Sequence, residues 1–171
     1  SVTANLLADG MGFGHFVSTP GVFAHEPAKT LDNGIGMYGY FLGAKAYVLD
    51  DPDFGRIGLG CRIETTGESV RAVPTDGLKK RIFVAPGRID VEAVGTELRS
   101  VAWNGKTGTV EIEAADPTGL FTRAEIAVRG LQPGSYRVGR PGSEETRAVS
   151  GELRVAVSPR ESGPVSIAKI R

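Results

Sequence analysis

The chain has 171 residues, 40% of them hydrophobic and 23% charged, with 20 Lys and Arg against 20 Asp and Glu. That length and hydrophobic content suit one domain with a sizeable core, or two small ones, and exclude a disordered chain. A formal net charge of zero leaves no electrostatic funnel for nucleic acid or an anionic membrane, and no apolar run approaches the roughly 20 residues that span a bilayer.

The opening Ser1-Val2-Thr3-Ala4-Asn5 has neither an initiator Met nor a basic-then-apolar leader. It reads as a mature form, a processed product or a piece of something longer. The one candidate helix is short, near Val2–Leu7, where Val2, Leu6 and Leu7 share a face. Residues 1–44 are a lead-in rich in Gly and aromatics, expected to pack on the domain that follows or on a partner. Residues 45–171 read as strand after strand. Thr109 to Ala114 alternates Val110, Ile112 and Ala114 against Glu111 and Glu113, the period-2 pattern of a half-buried strand. Thr122 to Arg129 and Leu153 to Val157 repeat it. Strands are expected near 45–50, 56–64, 69–73, 79–85, 89–94, 97–103, 108–114, 121–129, 134–139 and 152–158, with a last one at 165–170. Turn signals separate them: Asn104-Gly105, Asp116-Pro117-Thr118-Gly119, Gln132-Pro133-Gly134 and Arg140-Pro141-Gly142. The expectation is an all-β protein: an antiparallel β-sandwich of about ten strands behind a Gly/aromatic-rich N-terminal segment.

Several groups carry potential chemistry. His25-Glu26 and Asp32-Asn33 form the densest polar cluster, with Asp9 and His15 within reach in sequence. Glu26 and Asp32 would serve as general acid and base, with His25 beside them, if the loop folds back to hold them apart around a scissile bond. The bland alternative is a set of solvated turn residues. No His-x-x-x-His or Cys pair supports a metal site, and no cofactor is expected. Asp50-Asp51-Pro52-Asp53 lacks the spaced ligands of a Ca²⁺ loop and reads as a charged turn. Gly10, Gly12 and Gly14 lack the flanking strand and helix of a phosphate loop. Cys61, the lone cysteine, reads as a small buried hydrophobe. His15, Asn33, Tyr38 and Tyr40 are the candidate substrate contacts, the tyrosines as stacking faces for sugar. Trp103 is a further candidate platform, set against the expectation that it is largely buried between sheets.

Three stretches carry a family resemblance. The run Tyr40 to Gly60 leads a strand into the turn Asp51-Pro52-Asp53-Phe54-Gly55 and then a Gly-rich strand. The second is Gly130-Leu131-Gln132-Pro133-Gly134-Ser135-Tyr136-Arg137-Val138, and the third Leu7-Ala8-Asp9-Gly10-Met11-Gly12-Phe13-Gly14-His15-Phe16. Together they resemble the β-sandwich that follows the helical barrel in large bacterial six-hairpin, glycoside-hydrolase-like proteins. The resemblance implies an accessory sandwich bracing a helical catalytic barrel, with residues 10–43 reaching a shared cleft. It brings no catalytic residue to this sequence. It implies an upstream helical domain or another subunit as partner and carbohydrate as ligand, while the charge balance and the lack of a long apolar run leave neither nucleic acid nor membrane as an expected partner. The compartment stays open, the periplasm or the cell exterior being favoured. A free-standing carbohydrate-binding or adhesion module is the first alternative. A small hydrolase using Glu26 and Asp32 with a histidine is the second.

Overall fold

The structure is a computed structural model, and it describes residues 45–75, 80–115, 123–158 and 163–170. Among the described residues there are eleven strands and no α-helix. They are β1 (Lys45–Asp51), β2 (Gly55–Leu59), β3 (Cys61–Thr66), β4 (Ser69–Pro74), β5 (Arg81–Val84), β6 (Ile89–Val94), β7 (Glu97–Asn104), β8 (Val110–Ala115), β9 (Ala124–Arg140), β10 (Ser143–Val157) and β11 (Val165–Lys169).

Alternation builds the core. In β6, Ile89, Val91 and Ala93 are buried while Asp90 and Glu92 face outward; in β8, Val110 and Ile112 are buried while Glu111 is exposed. Inward-facing Ile82, Leu98, Ile112, Ile126 and Ile167 lose all contact with solvent, each such burial contributing about 1.5–3 kcal/mol. The all-β class expected from the sequence is what the chain adopts. Two features of the expected antiparallel sandwich differ. The ladder is one mixed sheet in the order β2-β1-β5-β6-β9-β11-β8-β7-β4-β3, nearly closed into a barrel, where two separate sheets were expected. And β1 pairs with β5 in parallel, Val48 opposite Val84.

The ends of the ladder, β2 and β3, meet across Gly60. A Cβ on Gly58 would fall 2.4 Å from the Cys61 carbonyl oxygen, so only glycine permits this approach. Cys61 is buried, as expected, and its thiol donates to the Tyr47 carbonyl at 3.4 Å.

The other side of the barrel turns on the long hairpin of β9 and β10. Residues 125–129 of β9 pair with β6 and residues 136–139 pair with β11, while β10 follows β9 throughout. The corner lies between these halves. Leu131 opposes Gly151 and Arg129 opposes Glu152, which leaves Gly130 as an extra residue at φ 87°, a bulge that bends the strand. Tyr136, buried, donates its hydroxyl to the Gln132 carbonyl at 2.8 Å and pins the bend, the device known as a tyrosine corner. The turn expected at Gln132-Pro133-Gly134 is therefore a bend inside one strand.

The outer edge of β10 has no second strand among the described residues. Arginines occupy it instead. Arg147 donates to the Arg154 carbonyl at 2.7 Å and Arg140 to the Ala156 carbonyl at 2.9 Å, and both pair with Glu145. Side-chain donors thus take acceptors that an open edge would offer to another chain.

Candidate functional site

His25, Glu26 and Asp32, the candidate catalysts, and His15, Asn33, Tyr38 and Tyr40, the candidate ligand contacts, lie outside the described residues, and of the candidate sugar platforms Trp103 is the one described. Among the described residues no three of His, Cys, Asp and Glu converge as a metal site would require. The Asp50-Asp51-Pro52-Asp53 segment is a turn. Asp51 Oδ1 accepts the Asp53 and Phe54 amides at 2.9 Å each, and Asp50 pairs with Arg56 at 2.7 Å.

Trp103 differs from its expectation in degree. It is half-buried, and it takes the inward register opposite buried Val70 and Val110. Its indole packs so close to Gly87, in the short 3-10 turn between β5 and β6, that a Cβ there would lie 2.7 Å from the ring. The ring lies at the end of β7 and closes one end of the core, which is why it is only partly covered.

What the structure does bring together is a face that runs across one flank of the barrel, opposite the core. Pairing registers place Leu59, Tyr47, Phe83, Asp90, Arg129 and Glu152 in one cross-strand row, from β2 through β1, β5, β6 and β9 to β10. The neighbouring row is Lys45, Arg81, Glu92, Ala127 and Arg154. The two ends of this face differ in kind.

Toward β10 it is a chain of ion pairs. Arg81 and Asp90 are joined; Arg129 bridges Glu92 at 2.7 Å and Glu152 at 3.0 Å; Arg154 bridges Glu152 at 2.5 Å and Glu125 at 2.7 Å. Arg154, then Arg129, hold the Glu152 carboxyl below the usual carboxylate range. The hydrogen bond to Asp90 raises the already high pKa of Arg81. A general acid needs the opposite environment, one that raises a carboxyl toward neutrality.

Toward β2 the face is apolar: Leu59, Tyr47 and Phe83 side by side, then Ile57 opposite Leu49, all half-buried. Lys45 is the cation of this strip. Its ammonium lies 4.9 Å from the Tyr47 ring centre and 5.3 Å from that of Phe83, within cation–π range. Burial lowers the Lys45 pKa against the opposing pull of Asp90, and burial raises that of Tyr47. The signal was present in the sequence. Ala46 and Val48 face the core while Tyr47 and Leu49 face outward, so β1 is apolar on both sides, the pattern of a strand covered on both faces.

A sequence profile matches residues 1–162. The chain belongs to DUF5695, a family of unknown function. No curated protein and no solved structure matches it. The DUF5695 match takes in the Gly/aromatic lead-in and the strands up to the end of β10 as one block. The family's description names no glycoside hydrolase and no carbohydrate.

Proposed function

We propose that this chain is an accessory β-module of a larger carbohydrate-active protein, bracing a helical barrel upstream or on another subunit and leaving the chemistry to that partner. The observation that carries it is the divided outer face. The carboxylates Asp90, Glu92, Glu125 and Glu152 are tied to arginines, which suits a rigid charged surface, and Glu152 is held below the range a proton donor needs. Beside them lies an apolar strip of the kind that meets another protein layer. In this reading the two flanks of the ladder, joined through the bent β9–β10 hairpin, act as the layers of a sandwich. Residues 10–43 contribute loops to a cleft shared with the barrel, where His15, Asn33, Tyr38 and Tyr40 meet carbohydrate. The periplasm or the cell exterior is the compartment. A free-standing sugar-binding module is less well supported, because the Trp103 indole packs against Gly87 instead of standing free.

The test compares this chain with the full product of its gene on a panel of polysaccharides, scoring newly released reducing ends. The expected result is an encoded helical region upstream of Ser1, release by the full product and none by the chain alone. Turnover by the chain alone that is lost in Glu26→Gln would establish the small-hydrolase alternative instead. A reading frame without a helical region, or a full product inactive on every polysaccharide, would remove the accessory reading.

A further inference from the structure

We propose that the groove beside the β7–β8 turn is a binding site for one unit of a neutral saccharide, held by Glu111 together with Ser69, Asn104 and Thr109. This goes beyond the accessory reading and does not need it: the site is built on three described strands and would take a sugar with or without a helical partner.

Strand pairing places the residues. Ser69 of β4 lies opposite Asn104 of β7, and Ala102 of β7 lies opposite Glu111 of β8. Val70, Val110 and Ile112 point into the core, so by alternation Ser69, Ala102, Asn104, Thr109 and Glu111 share the outer face. With Thr107 from the turn they line a groove of about 250 Å³. Ala102, on the middle strand, gives that groove a small apolar floor between polar walls.

The polar groups are fixed in place, and half of their bonding capacity is still free. Asn104 Oδ1 accepts the Lys106 and Thr107 amides at 3.0 and 2.9 Å. The turn thus occupies the oxygen end of that side chain and leaves its NH₂, a double donor. Thr107 donates its hydroxyl to Thr109 Oγ1 at 2.9 Å and accepts the Thr109 amide at 3.3 Å, which leaves the Thr109 hydroxyl proton for a ligand. Ser69 adds a hydroxyl that gives or takes. Glu113, next along the outer face of β8, is held by Arg71 at 2.8 Å and by Ser100 at 3.0 Å. Glu111 is exposed and has no ion pair among the described residues.

This set of groups selects the ligand. Glu111 is the one charged residue lining the groove, so an anion is repelled. A cation would meet one carboxylate but also the positive ends of the Asn104 and Thr109 donors. A sugar uses both kinds: two neighbouring hydroxyls donate to the carboxylate, its oxygens accept from Asn104 and Thr109, and a C–H face covers Ala102. The volume is below the roughly 300–1,000 Å³ of sites for drug-sized ligands, which suits a single ring of a longer chain. Because the turn already holds Asn104, Thr107 and Thr109, little ordering is left to be done on binding.

Titration of the whole chain with neutral cello-, xylo-, manno- and malto-oligosaccharides tests this, read by tryptophan emission and by amide shifts over residues 107–111. Trp103 is the sole tryptophan, and a Cβ on Gly105 of the same turn would lie 3.0 Å from its ring, so its emission reports on the turn. A saturable change with at least one oligosaccharide is expected, with a Kd on the order of 1 mM. Glu111→Gln should weaken it about tenfold or more, the range for a hydrogen bond to a charged group. Asp53→Asn, in the exposed β1–β2 turn, should leave it unchanged. If Glu111→Gln misfolds by circular dichroism, Ser69→Ala replaces it, with an expected loss of about threefold. Neither emission change nor amide shift with any oligosaccharide at about ten times the expected Kd would overturn the proposal. So would binding that survives the groove variant undiminished, or tighter binding of a tri-lysine peptide at the same amides. The accessory reading is scored by released reducing ends, so a chain that binds no sugar leaves that reading standing, and an inactive full product leaves this site standing.

Discussion

Gly130→Ala probes the corner that lets one hairpin serve both flanks of the barrel. Two costs are expected. At φ 87° an L-residue is in the left-handed region, at about 1–2 kcal/mol. The new Cβ would also fall 1.9 Å from the Arg88 carbonyl oxygen, so the start of β6 must move away from β9, a crowding cost of about 1–3 kcal/mol. The total is about 2–5 kcal/mol. Gly151, on the other side of the same bulge, separates the two terms. Its φ is 99° with nothing within 4 Å of an added Cβ, so Gly151→Ala should cost only about 1–2 kcal/mol. Urea denaturation of both variants is the assay, with an unchanged m value as the sign that the unfolding reaction is the same. Equal costs for the two variants would refute the crowding argument. A Gly130→Ala cost under about 0.5 kcal/mol, the range of a neutral surface change, would refute the corner altogether.

Tyr136→Phe removes the hydroxyl from the Gln132 carbonyl and keeps the buried ring, and should cost about 0.5–1.5 kcal/mol by urea midpoint; no change would mean the bend is held by the bulge alone. Arg147→Ala bares the Arg154 carbonyl on the free edge of β10, and light scattering should show greater self-association; a variant as monodisperse as the wild type would mean the edge is protected otherwise. Glu152 has a carboxyl pKa below its unfolded value of about 4.3. Its pairing therefore stabilises fully above that pH and is lost as pH falls through the lower folded value. Wild type should lose more stability than Glu152→Gln on acidification from pH 5, and parallel curves would show the pairing to be inert. Trp103→Ala should cost near the low end of about 3–5 kcal/mol, because the ring is half-covered, and a cost below about 1 kcal/mol would make it a surface residue.

Local signals were readable and non-local ones were not. Alternation located β4, β6, β7, β8 and β11 closely. The strand expected at 56–64 is broken by Gly60 at φ 68°, where the barrel closes on itself. Pro133 and Gly134 read as a turn, but Pro133 falls in the gap between the paired residues Leu131 and Gly134, where its missing N–H costs no ladder bond. The first half of β10 was missed because its register with Val149 holds Arg147 and Glu145, charges that serve the edge and hide the alternation. The parallel β1–β5 pair and the closed ladder depend on partners far apart in sequence, which no window of residues reveals. The outer strip was written in β1, whose two apolar faces passed for ordinary core. The residues marked for catalysis and, Trp103 apart, for sugar binding fall in 1–44, beyond the described strands.

The parallel pairing of β1 with β5 also bears on the order in which the chain folds. A parallel neighbour requires a crossover, and here the crossover is made of β2, β3 and β4, of which β3 and β4 belong to the far end of the ladder. The seam between β1 and β5 closes only when those strands have found their places, at an entropic cost met before the contact rewards it. β7 with β8, and β9 with β10, are neighbours in sequence and free to pair early. β1 is a neighbour of β2 in sequence and pairs with it as a hairpin, so it is the other edge of β1, toward β5, that is among the last of the described edges to be covered. While that edge waits, β1 shows Ala46 and Val48 on one side and Tyr47 and Leu49 on the other, so the chain is most prone to aggregate between emergence and closure, and a chaperone that shields β1 would raise yield without altering final stability.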